Sequence, residues 1–148
     1  MYNTVFYILI AVLMAGYLLE RILDFLNLRH TVPELPSELE GIYDPDEYKR
    51  SQLYKKENTR FTFVTSSLSL VVLLCFFFLG GFGWLEDQLE SVTSGYILFV
   101  LIFFGILAFA SDILSTPFAL YDTFVIEERY GFNRTTPKTF LLDKLKGW

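Results

Sequence analysis

The chain has 148 residues, 53% of them hydrophobic and 18% aromatic, and its 12 Lys and Arg against 17 Asp and Glu leave a formal net charge of −5. Soluble domains sit near ~45–50% apolar, and the excess here is segregated: residues 1–19, 61–85 and 91–111 hold no charged side chain. The basic residues lie at the edges of these blocks among acids, which excludes a nucleic-acid-binding surface of the usual basic kind.

Each block supplies the ~20 apolar residues that a helix needs to cross ~30 Å of hydrocarbon. Backbone amides in lipid must be satisfied within the segment, so the blocks are helices. The alternative, three buried helices of a soluble core, fits poorly with uncharged runs of this length. The fold class expected is an all-α integral membrane protein with three transmembrane helices, at about 4–27, 61–85 and 94–121. The first block is a retained span. It has no positive charge before it, and Leu18, Leu19, Glu20 and Arg21 follow where a cleaved signal would show small residues.

Residues 28–60 form the loop between the first two spans. Pro33 and Pro36 open it, and a short turn ends at Gly41. Asp44 is placed to cap a helix, with Pro45 first and Glu47 three residues on, as in a capping box. Acids lead and bases follow, which complements the helix dipole. No helix breaker stands between Tyr48 and Phe61. One helix is therefore predicted from about Pro45 through the second span, its first part a cytoplasmic extension with Tyr43, Tyr48, Leu53 and Tyr54 as an incomplete apolar stripe. The end of the second span is loosened by Gly80, Gly81 and Gly83, and residues 86–93 form a short outer turn flanked by Trp84 and Tyr96, both suited to an aromatic belt.

The third span does not stop cleanly. Asp112 follows the charge-free run, and apolar residues continue through Pro117, a kink site, to Tyr121. An intramembrane carboxylate is a functional-site candidate by default; interfacial placement of Asp112 is the other reading. Residues 122–148 are read as an interfacial segment. The helix runs on to Arg129, and Gly131 ends it in a left-handed cap followed by Phe132. Thr136 and Pro137 start an amphipathic C-terminal helix with Phe140, Leu141 and Leu145 on one face and Lys138, Lys144 and Lys146 at headgroup level. The alternative there is the start of a further domain.

All 12 basic residues fall in two places, seven between the first two spans or at the end of the first, and five after the third. The connection at 86–93 holds Glu86, Asp87 and Glu90 and no base. Basic residues mark the cytoplasmic side, so the N-terminus is expected outside and the C-terminus inside.

Little chemistry is written in the residues. His30 is the one His, whereas a zinc site takes three or four ligands. No H-E-x-x-H occurs. "GGFGW" stands at the end of a span, where it opens no nucleotide-binding helix. Cys75 is alone and forms no internal disulfide. Glu127, Glu128 and Arg129 admit two readings, a functional cluster or a solvated helix face with weak ion pairs, and the residues alone favour the second.

Two stretches carry a resemblance: "VPELPSELEGIYDPDEYKRSQLYKKENTRF" and "YDTFVIEERYGFNRTTPKTFLLDKLKG". The second resembles the stretch after the third span of the CAAX prenyl proteases, which are integral-membrane zinc metalloproteases. Thr123-Phe124-Val125-Ile126-Glu127-Glu128, Arg129, Gly131-Phe132-Asn133, Arg134, Phe140 and Asp143-Lys144 carry it. The likeness covers nearly the whole chain and implies the N-terminal membrane domain of that family, a truncated fragment that helps shape a membrane chamber. No catalytic or metal residue is carried over. The resemblance implies no cofactor in this chain and zinc in the full-length family member. It implies that residues 122–134 shape or brace that chamber, which with the carboxylate of Asp112 gives Asp112, Glu127, Glu128, Arg129 and Asn133 as candidate chamber-lining or bracing residues. The implied partners are the lipid bilayer, the missing C-terminal catalytic half and prenylated or membrane proteins as substrates; the implied location is the bacterial inner membrane or the endoplasmic reticulum membrane. A self-standing three-span scaffold or adaptor, and a small transporter or channel subunit with Asp112 as its pathway residue, remain as alternatives.

Overall fold

A computed structural model describes residues 3–148. Five α-helices follow one another among these residues: α1 (Thr4–Arg29), α2 (Pro45–Phe78), α3 (Gly81–Glu90), α4 (Tyr96–Tyr121) and α5 (Pro137–Gly147). A 3-10 turn at Ser37–Leu39 lies before α2, and a π-helical turn at Asp122–Glu127 continues α4. Three helical stretches are long and apolar enough to cross a membrane: Thr4–Arg29, Pro45–Phe78 and Tyr96–Glu127. The chain divides into two compact units, residues 1–63 and 64–148, with α2 continuous through the boundary.

In the first unit, Asn3 Oδ1 accepts from Phe6 N at 2.9 Å and starts α1. Asp44 Oδ1 accepts from the backbone N of Asp46 and of Glu47, each at 2.9 Å, and Pro45 is the first helical residue. Only half of the expected capping box is present: the Glu47 carboxylate turns to Arg50 at 3.7 Å. The 34 residues of α2 reach about 51 Å at 1.5 Å per residue, longer than the ~30 Å of a hydrocarbon core. Arg21 sits inside the first candidate span. Its guanidinium pairs with Asp24 at 3.1 Å and lies over the rings of Tyr17 and Phe63, 5.4 and 5.6 Å from their centres. The pair and the two aromatic faces offset the cost of carrying a charge into an apolar segment.

In the second unit, α2 stops at Phe78, seven residues before the predicted end of its span. Gly80 adopts φ 74°, a left-handed conformation that only Gly takes at little cost. The Phe82 ring then packs against Phe76 and Phe77, with centroids 4.7 and 4.6 Å apart. The expected outer turn is mostly helix. α3 occupies ten residues and buries Leu85 and Leu89, four apart and so on one face, against α4. Glu86, Asp87 and Glu90 stay exposed. The spacing of Leu85 and Leu89 opposite the three acids makes residues 81–90 amphipathic, and a neighbouring helix is present to bury the leucines.

α4 contains Pro117 and runs through the π-helical turn to Arg129. Ile126 in that turn is the most enclosed side chain described, 1% exposed. Most large apolar side chains of the spans, such as Val12, Val71 and Leu101, remain exposed, as befits surfaces covered by lipid or by other membrane helices.

Candidate bracing site at the end of the third span

The site is built where α4 and α5 meet. The carbonyl of Asp112 accepts from Ser115 Oγ and Thr116 Oγ1, at 2.9 and 2.7 Å. Pro117 has no N–H of its own. These hydroxyl bonds loosen the helix just where Asp112 projects. One carboxylate oxygen, Oδ1, accepts from Lys144 Nζ at 2.6 Å, and the other, Oδ2, accepts from Trp148 Nε1 at 2.7 Å. The Trp148 ring lies 4.8 Å from that of Phe109. One turn into α5, Phe140 meets Phe124 at 5.8 Å. Residue numbers rise along α5 as they fall along α4, so the two helices run antiparallel.

The predicted helix after Thr136 therefore forms, with Thr136 Oγ1 accepting from Thr139 N and Pro137 first. Its polar side is used in a way the sequence did not suggest. Lys144 turns to α4, while Leu141, Leu142 and Leu145 stay exposed.

Between the two helices lies a groove of about 470 Å³ lined by Asp112, Thr123, Glu127, Thr135, Asp143 and Lys144, among others. Three carboxylates against one ammonium make it acidic. Asp122, in the π-helical turn, has one carboxylate oxygen, Oδ1, that is buried and lacks a hydrogen-bond partner among the described residues.

The chain leaves the π-helical turn through a Schellman motif. Gly131 is left-handed, with φ 71°. Phe132 N donates to Glu127 O at 2.9 Å and Gly131 N to Glu128 O at 3.1 Å, so two of the last carbonyls are satisfied. Asn133 ties the turn on both sides: its Nδ2 donates to Glu128 Oε2 at 2.9 Å, and its Oδ1 accepts from Thr135 N at 2.7 Å.

Of the five residues singled out from the sequence, Asp112 and Glu127 share the groove, and Glu128 and Asn133 pair in the adjoining turn. Arg129 is exposed on that turn and is not part of the groove lining. Sequence reasoning missed Asp122, Asp143, Lys144 and Trp148 as site residues. A signal existed for one of them, since a carboxylate within a span needs a cation and Lys144 stands among few candidates. Among the described residues, no three His, Cys, Asp or Glu side chains converge as a metal site.

Comparison with known proteins identifies the family and the fold. A family model described as CAAX prenyl protease N-terminal, five membrane helices, matches residues 24–148. The CAAX prenyl protease 1 homolog of Arabidopsis thaliana is 31% identical over 139 residues, covering 88% of this chain and 33% of its own length. The mouse homolog is 33% identical over 124 residues, covering 78% of this chain and 26% of its own. The crystal structure of S. mikatae Ste24p superposes with a TM-score of 0.78 at 24% identity, over 90% of this chain and 32% of that one. The chain thus spans about a third of the length of the relatives it matches.

Proposed function

Since the chain belongs to the CAAX prenyl protease family, as its N-terminal membrane domain, we propose that it forms part of the wall of a membrane chamber in which a zinc-dependent catalytic half cleaves prenylated or membrane proteins. Asp112, Glu128 and Asn133 brace that wall, and Glu127 with Asp122 faces what the rest of the protease brings. Arg129 is on the exposed side of the same turn. The zinc and its ligands belong to the catalytic half.

The observation that carries this reading is the doubly fixed end of the third span. Asp112 is held by two donors and lines an acidic groove, the Schellman turn is tied by Asn133, and in the π-helical turn a buried Asp122 oxygen has no hydrogen-bond partner among the described residues. Buried polar atoms are nearly always paired. A carboxylate oxygen left open beside a rigid turn is therefore an acceptor for a donor from another part of the protease. A channel subunit using Asp112 as its pathway group is disfavoured, because both oxygens of that carboxylate are engaged. In this reading the basic ends of the spans face the cytoplasm, with the protein in the endoplasmic reticulum membrane of a eukaryote or the inner membrane of a bacterium.

The test uses a full-length relative such as the Arabidopsis protein. Amide replacements are made at the positions aligned with Asp122 and Glu127, and cleavage of a C-terminally prenylated peptide is measured alongside zinc content. Misplacing groups near a reaction by an ångström costs up to ~100-fold, so cleavage should fall at least about tenfold with zinc retained. Unchanged cleavage in both variants would refute the role of this turn.

A further inference from the structure

A second polar groove lies in the first unit, away from the features used above. Residues Tyr54, Asn58 and Thr62, with Lys55 and Thr59 beside them, make one stripe of α2 at helical spacing, and Asp24 of α1 faces it across a space of about 200 Å³. That volume is below the ~300–1,000 Å³ of pockets that take drug-sized ligands, so the occupant is a small group. The walls are organised. Asn58 Nδ2 donates one hydrogen to Tyr54 Oη at 3.2 Å and keeps a second N–H, and Thr59 Oγ1 donates its one hydrogen to Lys55 O at 2.8 Å. Asp24 is held in place by Arg21 at 3.1 Å, and Arg21 is itself clamped between two aromatic rings. Among the described residues no carboxylate pairs with the Lys55 ammonium. The groove thus presents a fixed anion on one wall and an available cation on the other.

Its depth in the membrane follows from the sequence. The charge-free run of the first span ends at Leu19 and that of the second begins at Phe61. Asp24 lies five residues past the first limit and Lys55 six residues before the second, or about 7–9 Å along each axis. The headgroup layer occupies roughly the outer 5–8 Å of each leaflet. Thr62 lies within the charge-free run and Lys55 at the outer edge of that layer, so the groove crosses the headgroup level on the basic side of the membrane.

We propose that this groove seats the headgroup of an amine-bearing zwitterionic phospholipid. The phosphate sits against the Lys55 ammonium and the remaining N–H of the Asn58 amide, and the primary ammonium donates to Asp24. A trimethylammonium group has no N–H to give the carboxylate, and an anionic headgroup without an amine meets Asp24 with like charge. The site should therefore discriminate between lipids of similar shape. It does not depend on the protease reading or on which side of the membrane is cytoplasmic.

The test is native mass spectrometry of the whole chain purified in detergent, supplied with equal amounts of dioleoyl phosphatidylethanolamine, phosphatidylcholine and phosphatidylglycerol. The expected result is selective retention of phosphatidylethanolamine. Lys55→Gln, a change at an exposed side chain, should weaken that adduct about tenfold, the factor expected from losing a partly shielded charge contact. Asp24→Asn should remove the preference over phosphatidylcholine; because Asp24 also holds Arg21, Lys55→Gln keeps the test decisive if that variant unfolds. Equal retention of the three lipids, preference for phosphatidylglycerol, or an undiminished phosphatidylethanolamine adduct in Lys55→Gln would each overturn the proposal.

Discussion

Lys144 and Asp112 meet at 2.6 Å although 32 residues separate them in the chain. The contact joins the last helix to the third span and is backed by Trp148 on the second carboxylate oxygen and by Phe109 against the indole. Lys144→Ala or Asp112→Ala should release the end of α5 from α4. Hydrogen exchange over residues 137–147 should rise in either variant, more in Asp112→Ala, which also releases Trp148, and the double variant should add little to Asp112→Ala, which already removes the Lys144 contact. In a Trp84→Phe background, Trp148 emission should shift to the red. Additive effects, or an unchanged emission, would show that the contact does not hold the helix.

The Schellman turn makes a sharper demand on individual residues. Gly131 stands at φ 71°, where a β-carbon costs on the order of 1–2 kcal/mol. Gly131→Ala should therefore lower the melting temperature in detergent, and Gly131→Asn should recover part of the loss, since Asn tolerates this conformation better. Asn133→Ala removes two hydrogen bonds and should cost about 1–2 kcal/mol. If Gly131→Ala melts as the parent does, the left-handed cap is not required.

Gly81 is needed for a different reason. A β-carbon added there would lie 2.3 Å from the Phe76 ring, with the ring's base carbon at 2.7 Å, so the whole ring must move. Phe76 is held by Phe82. Gly81→Ala should destabilise the turn between α2 and α3 by about 1–3 kcal/mol, the usual range for overpacking, while Gly83→Ala, with open space around it, should be silent. Equal effects of the two changes would mean that the Phe76–Phe82 contact does not form.

Topology is open to direct labelling. In a Cys75→Ala background, Asp87→Cys on α3 and Lys49→Cys near the start of α2 both place a thiol at an exposed position. In intact cells or sealed vesicles, an impermeant maleimide should modify the first only from the outer side and the second only from the inner side. The reverse pattern would overturn the orientation argued from the basic residues.

The spans, the start of α2 at Pro45, the cap at Gly131 and the restart at Thr136 were all legible in the sequence, because each rests on local chemistry. Charge-free runs long enough for a bilayer, a proline after an Asp cap, and a glycine before Phe132 act within a few residues of themselves. Resemblance in "TFVIEERYGFN" went further and named the family, which residue physics alone did not reach. What the sequence could not decide was anything that depends on a distant partner. Residues 79–93 read as a loosened span end and a turn, yet ten of them fold as α3, because α4 is there to bury Leu85 and Leu89. The π-helical turn left no mark in the residue pattern, since it differs from an α-turn by one bond register. Asp112 stood as a lone carboxylate, and only the return of α5 along α4 supplies Lys144 and Trp148. A hydrogen bond across 32 or 36 residues is a property of how helices pack, and no periodicity within either helix encodes it.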